Sequence, residues 1–200
     1  MRLALLLLMA CGSPEPELNL PSAGVEELGP AAGADGQAGR ERRRMTVPML
    51  ADSIEQVTGL RWRNNNRDHF EDFSPTLGVP DWIERTNENL TADLVFNKLL
   101  EDAATEVCDE LVSLEADGGD RLLNGVDLST TTEEDRPAIE AALSSALLRF
   151  HGHHIPVGDE RLGGWMWLFE STRALPDEDP AMAWKAVCTA LIIHPDFYTY

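Results

Sequence analysis

Between Val95 and Val112 the apolar side chains recur every three or four residues: Val95, Phe96, Leu99, Leu100, Ala103, Val107, Cys108, Leu111 and Val112. That spacing draws one stripe on an α-helix and excludes a half-buried strand, whose period is two. Asp102, Glu106, Asp109 and Glu110 fall mostly outside the stripe, so the segment reads as an amphipathic helix over 92–114 with Thr91 as its N-cap. The same period governs most of what flanks it. Pro48 sets a first helical turn, Met49, Leu50, Ile54 and Val57 follow, and Gly59 ends the run. Thr132-Glu133-Glu134-Asp135 resembles a capping box before Ile139, Leu143, Leu147 and Phe150, with Gly152 as the stop. Asp159 precedes Leu162, Trp165, Met166 and Phe169. Asp179-Pro180 precedes Ala183, Trp184, Val187, Cys188, Leu191 and Ile192, and Pro195 ends that run. A short helix is expected from Pro80-Asp81-Trp82-Ile83-Glu84. Residues 61–80 read as an ordered loop anchored by Trp62, Phe70 and Phe73, and 116–127 as turns. No stretch alternates as a strand and no repeat is evident. An apolar content of 43% suffices for one core. The expectation is an all-α fold, a single orthogonal or irregular bundle of about six helices over 46–200.

The first residues set the address. Arg2 gives a short positive start, and Leu3 to Met9 is apolar but far shorter than the roughly 20 residues that span a bilayer. This pattern is a secretion signal. It ends Leu8-Met9-Ala10-Cys11, which resembles the lipobox of bacterial lipoproteins. The resemblance implies cleavage of 1–10, a diacylglycerol thioether on Cys11 and acylation of the new N-terminus, palmitate being a typical chain. Two or three acyl chains, at about 0.8 kcal/mol per buried CH₂, hold a protein stably on a membrane. The alternative is an ordinary signal peptide with a chance cysteine. Gly12 in place of Asp favours the outer membrane and periplasmic face over the inner membrane. Residues 11–45 then form a disordered linker rich in Gly, Ala, Pro and Glu. Its end, Arg40-Glu41-Arg42-Arg43-Arg44, reads as a solvated basic run.

If Cys11 carries lipid, Cys108 and Cys188 are the cysteines that remain. An exported protein sits where paired thiols oxidise, and an even remainder fits one disulfide. Both residues lie on apolar helix stripes, and facing stripes would bring them within bonding reach. The alternative is two buried thiols on helices that never meet.

The chain of 200 residues carries 16 basic and 35 acidic side chains, a formal charge of −19. Such a surface repels polyanions, so nucleic acid is excluded as a partner. The chain has no Gly-x-Ser-x-Gly elbow, no P-loop, no dinucleotide fingerprint and no Cys-x-x-Cys-His haem motif. No catalytic residue and no cofactor are assigned. His151, His153 and His154 are the candidate metal ligands, with Asp159 or Glu160 as an oxygen donor. The plainer account places His151 in the last helical turn, where positive charge suits the dipole, and the other two in a surface loop. Asp68, His69, Glu71 and Asp72 could form an acid–base group, and Asp117 to Asp120 or Asp177 to Asp179 could attract calcium, though neither has the EF-hand register. Trp167 falls off the stripe that buries Trp165 and Phe169, and is the candidate partner-binding residue.

Leu148-Arg149-Phe150-His151-Gly152, followed after one helix by the run from Ala183-Trp184 to His194-Pro195-Asp196-Phe197, resembles the helical module of large exported bacterial proteins associated with cytochrome-c-type domains. The likeness covers roughly residues 140–200. It implies an exported helical domain working beside other exported proteins, and it supplies no catalytic residues. The expected function is therefore a lipid-anchored cell-envelope protein with a non-catalytic interaction or scaffold role. Its partners would be the membrane, through the lipid, and other exported envelope proteins. The alternatives are an accessory subunit of an exported redox or hydrolytic system, and a metal-binding envelope protein using the 151–154 histidines.

Overall fold

Helix α1 (Val47–Thr58) starts where the sequence places it. The Thr46 hydroxyl accepts the Met49 N–H at 3.5 Å, Pro48 occupies the first turn, and the Gly59 N–H closes on the Glu55 carbonyl at 2.7 Å. The architecture is that of a computed structural model, which describes residues 43–200 apart from 65, 82, 85 and 176–178. The signal segment, Cys11 and the linker up to residue 42 lie outside the described residues, as do Asp177 and Glu178.

After α1, a two-residue hairpin pairs β1 (Arg63–Asn64) with β2 (Arg67–Asp68), in the register Arg63 to Asp68 and Asn64 to Arg67. A single turn, α2 (His69–Asp72), follows. Trp62 and Phe70 are buried as expected. Phe73 lies at the surface, stacked on Trp62 at 5.6 Å between ring centroids. Within the short helix expected at 80–84, the described residues Pro80, Asp81, Ile83 and Glu84 are not helical. Asp81 Oδ1 accepts the N–H groups of Ile83 and Glu84 at 3.0 and 2.9 Å, but the turn is not continued. Beyond it, the Asn89 N–H donates to the Gly78 carbonyl at 3.0 Å.

Helix α3 (Leu94–Ala116) begins at Asp93, two residues later than Thr91 suggested, because Asp93 Oδ1 takes the Phe96 N–H at 2.8 Å. Its buried face is the predicted stripe with Ala104 and Glu115 added, while Val95 is exposed and Leu99 half-buried. Helix α4 (Thr132–His151) starts twice. The Glu134 carboxylate reaches back to the Thr131 N–H at 2.9 Å, so the capping box sits one residue earlier than read. Asp135 then leaves helical geometry at φ −151° and accepts the Ala138 N–H at 3.0 Å, acting as a second N-cap ahead of Pro137. Gly152 stops α4 at φ 69°, a left-handed conformation that costs glycine nothing. A 3-10 turn at Glu160–Leu162, opened by Asp159, leads into α5 (Gly163–Arg173). Then come α6 (Ala181–Ile193) and the single turn α7 (Pro195–Tyr198).

The described residues are thus all-α, with seven helices and one two-residue hairpin. The core is one cluster, and α6 is its centre, packed most extensively on α3 and α5. All six apolar residues predicted for its inner face are buried, with Trp184 against Phe169 at 5.0 Å between centroids. Burying each such large side chain contributes about 1.5–3 kcal/mol. No helix among the described residues is long and apolar enough to cross a membrane.

One boundary moves. Residues 43–45, read as the end of a solvated linker, belong to the folded body. Arg43 exchanges backbone hydrogen bonds with Tyr200 at 3.3 and 3.0 Å, and the Met45 N–H donates to the Tyr198 carbonyl at 2.7 Å. Arg44 is buried, over the face of Phe96 with its guanidinium carbon 4.6 Å from the ring centroid. The folded body therefore begins by residue 43, not residue 46.

Candidate functional site

Cys108 on α3 and Cys188 on α6 meet. Both are fully buried, their Cα atoms are 5.8 Å apart and their sulfurs stand at disulfide distance. The two helix stripes face one another here, so of the two readings left open by the sequence it is the paired one that the structure has.

The second place where sequence-distant groups converge is the corner joining the ends of α4 and α6. His151 Nε2–H donates to the Leu191 carbonyl at 2.8 Å. Leu191 lies in the last turn of α6, whose carbonyls have no helical partner, so a side chain of α4 caps α6. Burial pushes the His151 imidazole below its ordinary pKa, against the pull of the Leu191 carbonyl bond. The His194 ring stands 4.9 Å from that of His151, and the His153 ring 5.9 Å from it. Trp165 closes the group at 5.8 Å from His151. His194 Nδ1 accepts the Asp196 N–H at 3.2 Å and so caps α7. Asp196 Oδ2 lies 3.7 Å from His194 Nδ1 and 3.9 Å from His153 Nδ1.

Of the candidate metal ligands, the structure brings His151 and His153 together and leaves His154 exposed and outside the cluster. His194 takes the third place. Among the described residues no three His, Cys, Asp or Glu side chains are disposed to hold a metal ion. The reason is local: His151 Nε2 is engaged with Leu191, and His194 Nδ1 faces a backbone N–H. Asp159, the proposed oxygen donor, instead pairs with Arg161 at 2.7 Å, and this contact lowers its pKa to about 2.

The 68–72 group is likewise occupied. Asp68 caps α2 through the Phe70 N–H at 2.9 Å and pairs with Arg61 at 2.8 Å, while His69 lies beside Trp62 at 5.0 Å between centroids. Trp167 is 68% exposed on the outer face of α5, whereas Trp165 is half-buried.

Three groups escaped the sequence reading. Glu115, at the end of α3, is buried and its carboxylate accepts the N–H groups of Arg121, Leu122 and Leu123 at 2.8, 3.2 and 3.0 Å, which pins the 117–126 loop. Arg44 donates to the carbonyls of Leu77, Thr91, Met45 and Asn89 and to Glu88. His194 with Asp196 was visible in the sequence only as His-Pro-Asp after a helix, which reads as a helix stop.

Fold and site together define an all-α body whose central helix is paired at disulfide distance with α3 and capped by an imidazole from α4. No family model matches the chain, and no curated protein or solved structure matches it.

Proposed function

We propose that this chain is an exported envelope protein, held to the membrane by a lipid on Cys11, whose helical body has a non-catalytic interaction or scaffold role. The observation that carries this reading is the cysteine pairing. The two cysteines besides Cys11 stand at disulfide distance in the core. A disulfide there forms in an oxidising compartment, and export is what the apolar segment before Cys11 would achieve. The lipid and the signal then account for the remaining cysteine. The likeness of roughly 140–200 to modules of exported bacterial proteins directs the search for companions to other exported proteins. Trp167 is the anchor to test first, since an exposed indole offers apolar area with a polar edge at little cost in side-chain entropy.

The direct experiment is fatty-acid labelling of the full chain and of Cys11→Ala in a bacterial host with a lipoprotein pathway. Label on the parent and none on the variant is the expected result. An unlabelled parent, recovered full-length from the cytosol with both core thiols free, overturns the reading. For the interaction role, Trp167→Ala should lose envelope companions that the parent retains after cross-linking, with the melting temperature unchanged.

A further inference from the structure

We infer that Asn124 is a site of spontaneous covalent modification, converting to aspartate and isoaspartate in the folded protein. Asn124 and Gly125 are the central pair of a tight turn. Their φ angles are 49° and 85°, and the turn is closed by the Val126 N–H on the Leu123 carbonyl at 3.0 Å. Two positive φ values in succession are the mark of a type I′ turn, a conformation that suits Asn-Gly. Both residues are exposed, and a Cβ placed on Gly125 would meet nothing within 4 Å. The Gly125 N–H makes no hydrogen bond among the described residues.

Those are the conditions the chemistry needs. The Gly125 nitrogen, having lost its proton, attacks Cγ of Asn124. A Cγ–N bond forms, the Cγ–Nδ2 bond breaks, and ammonia leaves carrying a proton. The product is a five-membered imide between the two residues. Water then opens it at one carbonyl to give an ordinary aspartate at this position, or at the other to give the β-linked isomer, which has one more methylene in the main chain. The only co-reactant is water, and no electron changes hands. A side chain on the following residue would crowd the attacking nitrogen, and a hydrogen bond on its N–H would hold the proton. Gly125 imposes neither restraint. Reaching attack geometry opens one turn hydrogen bond, that of the Val126 N–H on the Leu123 carbonyl.

The molecule supplies its own comparisons. Asp117-Gly118 lies in the same loop, but its glycine N–H donates to the Glu115 carbonyl at 3.0 Å, and the acid lacks the ammonia leaving group. Asn66 is exposed with φ 68°, but Arg67 follows it, at the start of β2. Asn97 is exposed within α3, where the helical backbone holds the next N–H. The turn is anchored on both sides, by the Glu115 carboxylate on Leu122 and Leu123 and by Asp127 on the Ser129 N–H at 2.8 Å. The change therefore stays local.

The test is a time course on the folded full-length protein in neutral buffer at physiological temperature, read by peptide mass mapping with fragmentation that separates the two isomers. Asn124 should convert to a mixture of both products, several-fold faster than Asn66 or Asn97 and at a rate comparable with the urea-denatured protein. An Asn124 amide that survives in the folded sample while the denatured one converts overturns the inference. So does conversion of Asn66 at an equal rate. The wild-type chain is measured throughout, so no variant needs to fold.

Discussion

At the scale of single residues, the charged groups placed inside stand apart from the apolar core around them. Arg44 is the largest. Its guanidinium is desolvated, which lowers its pKa, with Glu88 opposing the shift. An arginine stays charged regardless. Arg44→Met would leave several carbonyls without a donor and Glu88 without its ion pair. A loss of about 3–5 kcal/mol is expected, read as a lower urea midpoint. Arg44→Lys should lose less but recover only part, because an ammonium lacks the fork that reaches Leu77, Thr91 and Glu88 at once. His151 gives the pH dependence. Its folded pKa lies below the ordinary 6.5, so the folded state binds fewer protons than the unfolded chain. The stability tied to the neutral ring is full above that ordinary value. It falls away as the pH drops through it and levels off below the depressed one. His153, His194 and Asp196 share the corner, so the informative quantity is a difference between parent and variant. Replacing His151 with Gln should flatten the fall in denaturation midpoint between about pH 7 and pH 5. An unchanged slope would show that His151 does not set it.

At the scale of elements, the pairing of α3 with α6 fixes the centre. The sequence separation of the two cysteines is 80. By the chain-entropy argument a disulfide closing a loop of that size contributes about 4 kcal/mol. The Cys108→Ala/Cys188→Ala double variant should lose that order of stability in non-reducing thermal melts. Reductant should leave the parent's folded signal intact until it unfolds, because both sulfurs are buried. The two starts of α4 give a smaller effect. Asp135→Ala removes the inner cap and should cost about 1 kcal/mol, whereas Glu134→Ala removes only the outer contact and should cost less. These elements also show what was readable in advance. The inner face of α6 was fully legible because the 3.6-residue period needs no tertiary information. The starts of α3 and α4 were misplaced by two residues and one, because neighbouring Thr, Asp and Glu residues offer competing caps. The choice between them depends on how the preceding chain arrives. At the helix expected over 80–84 the described residues are not helical. The bonds that hold the chain after it are long-range ones, from Arg44 to Glu88, Asn89 and Thr91 and from the Asn89 N–H to the Gly78 carbonyl, which no local pattern reveals.

At the scale of the molecule, the parts that were not legible are those in which distant residues complete one another. A run of arginines before a helix reads as a solvated tail, and nothing local says that one of them is buried. What decides the matter is the far end of the chain. Tyr198 and Tyr200 offer backbone partners to residues 43 and 45, and Tyr198 also packs edge-on against Phe96 at 5.4 Å between centroids. Arg44 is thereby placed against Phe96 at the start of α3 and against the 88–91 segment, whose Asn89 and Thr91 carbonyls accept from its guanidinium. The His151 corner has the same character, since its members come from the end of α4 and from the α6–α7 junction. It follows that the folded body should depend on three residues that composition assigns to the tether. A fragment spanning 46–200 lacks Arg44 and both backbone exchanges with the last residues. A fragment spanning 41–200 keeps them. The longer fragment should melt cooperatively, and the shorter should melt well below it or remain unfolded, with Phe96 and Tyr198 losing their shared environment first in amide exchange. Equal melting temperatures for the two would mean that the Arg44 contacts add no net stability, and that α3 and α6 hold the body together without them.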